Sequence, residues 1–446
     1  MHHLSDYFVI LAAKTNTNMH KSLITTIIAG IAITLGMMAC NKNVYDEKIH
    51  EELIHYYSKV DSVDQQHMWQ LSQDKTLRFQ VPSGSSYKQL RVYTANPLTD
   101  SNAELMSQIY VSSGKSGSLT VNVPYQLSTI YAALVDASGL LYVSSLPTSS
   151  SPLSIDFTDV TKGVAITSHK PQTYTYLFEE NYPEAGDYDY NDIVLRVSQQ
   201  RTAENEITVN VTISAIGADK QIAGCIRLVG YLYENIDSVY TTNGDSFNEG
   251  FNPQKQYYFH KDTTLLIEGQ NHEAVLNMFC DAHWAMAFNM SLDYGLFQRK
   301  KYNVSTSVGD NYQIRTPRTI SYVIRFKDGF SSVLDNFTLD TLDPFILTEY
   351  NGGVWETHTE QFKSAKVLHE YFVPSFKDLP WALMVPEADF LYPLEGNEIG
   401  YRKKTEDGKV AMYGAYATVG HSFGEWAEDH NNYLDWYLYP NKQLTY

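Results

Sequence analysis

Several stretches of this 446-residue chain alternate apolar and polar residues with a period of two, which fits a half-buried strand and not an amphipathic helix. Leu77, Phe79 and Val81 alternate with Arg78 and Gln80, and Leu119, Val121 and Val123 with Thr120 and Asn122. Further on, Ile207, Val209, Val211 and Ile213 alternate with Thr208, Asn210 and Thr212, and Ile320, Tyr322, Ile324 and Phe326 with Ser321, Val323 and Arg325. Turn chemistry separates the early strands, as in Pro82-Ser83-Gly84-Ser85, Ser113-Gly114-Lys115-Ser116-Gly117 and Ala137-Ser138-Gly139. The expected fold class is therefore mainly β. An N-terminal antiparallel β-sandwich is expected over 76–167, followed from about Gln172 by a larger β-rich domain, sandwich- or jelly-roll-like, with a few helices. The Ala-, Gly- and aromatic-rich stretch Ala411 to Glu428 predicts a helix that ends before Asn431-Asn432.

The chain's start reads as an address. From Met19 it runs through Lys21 and an apolar stretch from Leu23 to Met38 to Ala39-Cys40, the order of an export signal. Met1 to Asn18 lacks that order, which points to Met19 as the true start. A small residue just before a cysteine at this place resembles a bacterial lipobox, so 1–40 is read as a signal segment, with Cys40 as the lipid-bearing residue of the mature protein and 41–75 as a tether. Within that tether Glu51-Glu52-Leu53-Ile54 and Tyr56-Tyr57 predict a short helix. The expected location is the outer membrane, held by lipid and facing the cell surface, with the periplasmic face as the alternative. Cys225 and Cys280 remain as an even pair that an oxidising compartment would allow to bond. Both stand among apolar neighbours, where a free thiol packs as a small hydrophobe.

Charge narrows the partners. With 33 Lys and Arg against 51 Asp and Glu, the formal charge is −18, which disfavours polyanions, so no nucleic acid is expected. A cation is the better charged partner. The run Gly186-Asp187-Tyr188-Asp189-Tyr190-Asn191-Asp192 crowds acceptor oxygens just before the apolar strand Ile193-Val194-Leu195. Asp187, Asp189 and Asn191 share a parity, so an extended or gently turning loop lets their oxygens converge while Tyr188 and Tyr190 pack opposite. Glu179 and Glu180 end the preceding strand and can approach across the Asn181 to Gly186 turn. Hard oxygens in this number suit Ca²⁺. An EF-hand does not fit, because its sixth and twelfth positions would be Asp192 and Ser198. The competing reading is a solvated hairpin tip in which Asp and Asn cap turns.

A resemblance rests on two separate segments. Tyr176-Leu177-Phe178-Glu179-Glu180, Pro183 and the acidic run resemble the opening of the LruC-type domain, found in surface lipoproteins of Gram-negative bacteria. Its closing segment is similar to Leu379-Pro380-Trp381-Ala382-Leu383, Pro386, Tyr392-Pro393-Leu394-Glu395, Ile399, Trp426-Ala427 and Asp435-Trp436-Tyr437. The resemblance covers 172–440 and implies an exported β-rich domain with a calcium loop carried by Asp187, Asp189, Asn191 and Asp192, without an assigned activity. Tyr401 to Lys409 departs from it as an insert-like stretch.

Catalytic signals are weak. Gly420-His421-Ser422-Phe423-Gly424 spells a nucleophile elbow, but too little chain follows for the acid and histidine strands, and the surroundings read antiparallel. A helix start with Phe423 and Trp426 in the core is the plainer reading. His272-Glu273 and Asp281-Ala282-His283 lack zinc-helix spacing, and Gly114-Lys115-Ser116 lacks the preceding glycine of a phosphate loop. The expectation is a non-catalytic, lipid-anchored surface protein with a calcium-stabilised loop, serving surface binding or adhesion. The 34 tyrosines keep a carbohydrate-binding alternative open, and the sandwich layout a fimbrial or adhesin subunit. A glycan or protein ligand is the expected partner outside the membrane.

Overall fold

The computed structural model describes residues 62–84, 86–181, 186–251, 264–287, 299–309, 311–350, 352–362, 379–405 and 407–446. The signal segment, Cys40, the tether helix and Pro183 lie outside the described residues.

Eight strands build the first sandwich: β1 (Ser72–Gln80), β2 (Tyr87–Tyr93), β3 (Leu105–Tyr110), β4 (Ser116–Pro124), β5 (Thr129–Asp136), β6 (Leu141–Pro147), β7 (Leu153–Ile155) and β8 (Thr161–Gly163). A three-stranded sheet, β4-β1-β7, faces a five-stranded one, β3-β2-β5-β6-β8, and all pairs are antiparallel except β1 with β7. Leu77, Phe79, Leu119 and Val121 meet Leu90, Val92, Ile130 and Leu134 between the sheets. The period-two pattern thus lands its apolar parity inside, as pleating requires. Gly114 adopts φ 73° in the turn that carries the chain from β3 in one sheet to β4 in the other, so Gly114-Lys115-Ser116 is an inter-sheet turn.

The larger sandwich uses β9 (Thr173–Phe178), β10 (Ile193–Ala203), β11 (Glu206–Ala215), β12 (Ala223–Leu232), β13 (Ile236–Thr241), β14 (Ile267–Glu268), β15 (Glu273–Phe279), β16 (Lys301–Tyr302), β17 (Tyr312–Gln313), β18 (Arg318–Phe326), β19 (Leu342–Tyr350), β20 (Gly353–Thr357) and β21 (Ala382–Val385). Its sheets run β13-β18-β11-β10-β9-β21 and β14-β15-β12-β19-β20. Ile207, Val209, Val211, Ile320 and Ile324 of the first meet Ile226, Leu276 and Ile346 of the second. Hydrogen bonds join the two sandwiches: Gln108 Nε2 donates to the Arg201 carbonyl at 3.0 Å, and Thr338 Oγ1 to Asp74 Oδ2 at 3.0 Å.

A third layer explains why β10 opens on a continuous apolar run instead of alternating. Leu195 points into the sandwich, while Val194, with Leu177 of β9 and Leu383 of β21, faces outward into a second core. That core is aromatic: Tyr188, Tyr190, Phe390, Tyr416, Phe423, Trp426 and Trp436 fill it. Both faces of the strand are buried, so both parities must be apolar. Most of this layer comes from the closing segment, residues 379–446.

The expected helix over Ala411 to Glu428 shrinks to its last turn and a half. After β22 (Tyr401–Lys404) come β23 (Val410–Tyr413), β24 (Ala417–Thr418) and β25 (His421–Ser422), and only Phe423–Glu428 is helical. Gly414 at φ 115° and Gly420 at φ 81° break any longer helix, positions that the count of alanines and aromatics hid. The insert-like Tyr401 to Lys409 forms the β22–β23 hairpin, and its Tyr401 packs on Tyr413. Cys225 and Cys280 are both buried free thiols.

Ile213 is fully buried in the larger core, whereas Thr212 stands outside and shares one exposed hydrogen bond with Thr319. Ile213→Ala is expected to cost about 2–5 kcal/mol and Thr212→Ala about 1 kcal/mol or less, measured by chemical denaturation.

Candidate metal centre

The acidic run is a deeply packed corner. Glu179, Glu180, Asp189, Asn191 and Asp192 are all buried, and of the six expected ligands only Asp187 is exposed. The solvated-tip reading fails on that burial. The loop is not gently extended either. Tyr188 and Tyr190 adopt φ 58° and 53°, the left-handed region that costs non-glycine residues about 1–3 kcal/mol each. Their rings repay it inside the aromatic core, and the twist between them turns the intervening carboxylate of Asp189 inward.

One oxygen each from Glu179, Asp187 and Asp189 lies within 4.8 Å of the others. Two oxygens on opposite sides of a calcium ion, each about 2.4 Å from it, stand about that far apart. Glu179 continues β9 by donating its amide to the Trp381 carbonyl at 2.9 Å, and its Oε1 accepts from the Tyr190 amide at 2.8 Å. Its Oε2 is buried without a hydrogen-bond partner. A Cβ at Gly186 would sit 1.8 Å from that oxygen, so only glycine leaves it room. Asp189 Oδ1 accepts from the Asn191 amide at 3.1 Å and Oδ2 from the Gly396 amide at 2.7 Å.

Asn191 supplies the second unanswered oxygen. Its Nδ2 donates to the Pro393 carbonyl at 3.1 Å, which fixes the amide's orientation and leaves Oδ1 buried and unpartnered. Beside it stands Glu395, whose Oε1 pairs with Lys301 at 2.6 Å and whose Oε2 is likewise without a partner. A Cβ at Gly217 would fall 1.8 Å from Asn191 Oδ1 and 2.8 Å from Glu395 Oε2, so this glycine makes the recess both oxygens face. Glu395 and the two glycines carry no sequence signal of their role, because their partners are remote in the chain.

Glu180 and Asp192 are used differently. Glu180 accepts from the amides of Asp219 at 2.9 Å and Lys220 at 2.7 Å, and Asp192 Oδ2 accepts from the Glu180 amide at 2.6 Å. They brace the loop's flank, and the clustered trio does not include them. Burial pushes the carboxyls of Glu179, Asp189 and Asp192 well above the usual range, and neighbouring carboxylates push them further. Glu395 is raised in the same sense, burial first.

The serine of the elbow-like motif is no exposed nucleophile. Ser422 is 1% exposed and caps the helix Phe423–Glu428: its Oγ accepts from the Glu425 amide at 3.1 Å and donates to Glu425 Oε2 at 2.9 Å. His283 is fully buried, its ring nitrogens 2.9 Å from the Lys300 carbonyl and 3.2 Å from the Lys220 carbonyl.

An N-terminal strap seals the aromatic layer. The Asp64 amide donates to the Ala427 carbonyl at 2.9 Å, the His67 ring stacks on Trp69, and Trp69 meets Trp426 edge-on at 5.3 Å. His67 Nδ1 accepts from the Trp69 amide at 2.9 Å, so Nε2 carries the proton it gives to the Trp426 carbonyl at 3.0 Å.

Fold and site define a class: two β-sandwiches, the larger closed by an aromatic third layer and carrying an acidic recess at that seam. The chain belongs to the family described as a domain of unknown function (DUF4842), which matches residues 205–437. That span contains Gly217 and Glu395 and begins after the acidic loop. No curated protein matches the chain. A crystal structure described as that of a "Putative lipoprotein from Bacteroides ovatus" is similar at 14% identity and a TM-score of 0.47, over 81% of this chain and 99% of its own. Among the described residues no helix is long and apolar enough to cross a membrane.

Burial lowers His67 to about 4, and His430 opposes its charge while Asp64 and Asp429 favour it. A base held below its ordinary 6.5 stabilises the fold fully above that pH, and the contribution disappears as pH falls toward 4. The loss should reach about 3 kcal/mol, and His67→Gln should flatten that part of the denaturation profile. An unchanged slope in the variant would remove His67 from the acid response.

Proposed function

We propose that this protein is a non-catalytic, lipid-anchored protein of the outer membrane's surface, organised on the LruC-type plan, in which Ca²⁺ is held by Glu179, Asp187 and Asp189 with Asn191 beside them. Its role on this reading is binding or adhesion outside the cell. The observation that carries the ion is the pair of buried, unpartnered oxygens, Glu179 Oε2 and Asn191 Oδ1, beside carboxyls that burial has already raised. An unsatisfied buried oxygen costs about 1–3 kcal/mol, more when charged, and a hard dication answers several at once. All the donors are oxygens, which disfavours zinc, and their irregular placement suits calcium better than octahedral magnesium. Anchoring rests on the sequence before and at Cys40, and the absence of catalysis on a motif serine spent as a helix cap.

Calcium should raise the melting temperature of the purified protein by several degrees over chelator, and Asp187→Ala, at the exposed ligand, should lose that rise while folding normally. Identical melting curves with calcium and with chelator would remove the ion. For the anchor, Cys40→Ala should shift the expressed protein from the membrane to the soluble fraction and abolish labelling by a palmitate analogue. Retention of both in the variant contradicts lipidation at Cys40.

A further inference from the structure

We propose that the cation at this centre is the latch that docks the closing segment and the N-terminal strap onto the larger sandwich, so that the docked state forms in response to calcium. The inference rests on the calcium reading above and goes beyond it by naming what the ion controls.

The centre lies across a seam. Glu179, Asp187 and Asp189 come from the β9–β10 side, the closing segment binds Asp189 through the Gly396 amide, and its Glu395 faces Asn191 across Gly217. Four hydrogen bonds cross at the same place. The Tyr190 hydroxyl donates to the Pro380 carbonyl at 2.6 Å and Asn191 Nδ2 to the Pro393 carbonyl at 3.1 Å. In return the Gly396 amide donates to Asp189 Oδ2 at 2.7 Å and the Ile399 amide to the Tyr188 carbonyl at 2.7 Å. The acidic loop is therefore the docking post of the segment. Without a cation, the carboxylates on the two sides repel across the very gap that these bonds must close.

A second observation keeps this from resting on an acidic cluster alone. Glu179 and Asn191 are fully buried, and each aims an unpartnered oxygen into the recess kept open by Gly186 or Gly217. Beyond the seam, the part of the closing segment after β21 covers Leu177, Val194 and Leu383 of the sheet, and the strap seals it through Asp64, His67 and Trp69 on Trp426 and Ala427. Among the described residues before β1 the strap forms no strand, and its Asp64, His67 and Trp69 seat on the closing segment.

A ligand that binds only the docked state multiplies the ratio of docked to undocked molecules by one plus the ratio of free ligand to Kd, about 100-fold at one hundred times Kd. Hydrogen exchange of the purified protein, read by mass spectrometry in millimolar calcium and in chelator, tests this. Peptides from 62–71 and 386–446 should exchange at least about tenfold more slowly with calcium, and peptides from β12 and β18 should not change. Asp187→Ala and Asp187→Asn should each abolish the calcium effect and match the wild type in chelator. Should calorimetry register calcium binding while protection stays confined to 186–192, the latch is wrong and the ion reading stands. Should neither heat nor a melting shift appear, the ion reading falls and the latch with it.

Discussion

A carboxylate removed from water must be answered by a proton, a cation or several donors, and the larger sandwich of this protein turns on how that demand is met in one corner. Glu180 meets it with two backbone amides, and Asp192 with one. Asp189 meets it with the amides of Asn191 and Gly396. Glu179, Asn191 and Glu395 each keep one oxygen unanswered. The remaining oxygens face space that glycines keep clear, Gly186 beside Glu179 and Gly217 beside Asn191 and Glu395. Partly satisfied polar networks are costly in a low-dielectric setting, which is why this corner, and not the more numerous surface carboxylates, governs the fold locally.

The aromatic third layer depends on that corner and pays it back in rigidity. Tyr188 and Tyr190 are forced into left-handed backbone so that their rings can enter the layer while the acidic residues between and beside them turn toward the recess. Trp426 stacks on Trp436 at 5.5 Å and meets Trp69 edge-on, so strap, helix and loop share one packed cluster. Aromatic pairs of this kind add about 0.5–1.5 kcal/mol each beyond their buried area. Small shifts in the corner are therefore felt at the strap, because a close-packed cluster does not deform continuously.

Much of the fold was legible from period alone. Strands β1, β4, β11 and β18 lie where Leu77, Leu119, Ile207 and Ile320 begin their alternations, because each has one buried and one wetter face. Ala411 to Glu428 was misread for a physical reason: alanine and aromatic content favours a helix locally, but Gly414 and Gly420 take positive φ and the segment is pulled into two short ladders under the aromatic layer. At the centre, Glu179, Asp187 and Asp189 were visible as a dense acidic run, while Glu395 was not, since nothing local distinguishes a glutamate that meets Asn191 from one that faces solvent.

By itself, the sequence determined the β class and the density of oxygens before β10, because periodicity and charge are properties of neighbours along the chain. Only the tertiary structure decided that those oxygens are buried, that two of the six expected ligands are spent on backbone amides, and that a glutamate some two hundred residues away completes the recess. The reason is that burial and unsatisfied valence belong to a place in space, and that place exists only once the closing segment has folded back over β9 and β10.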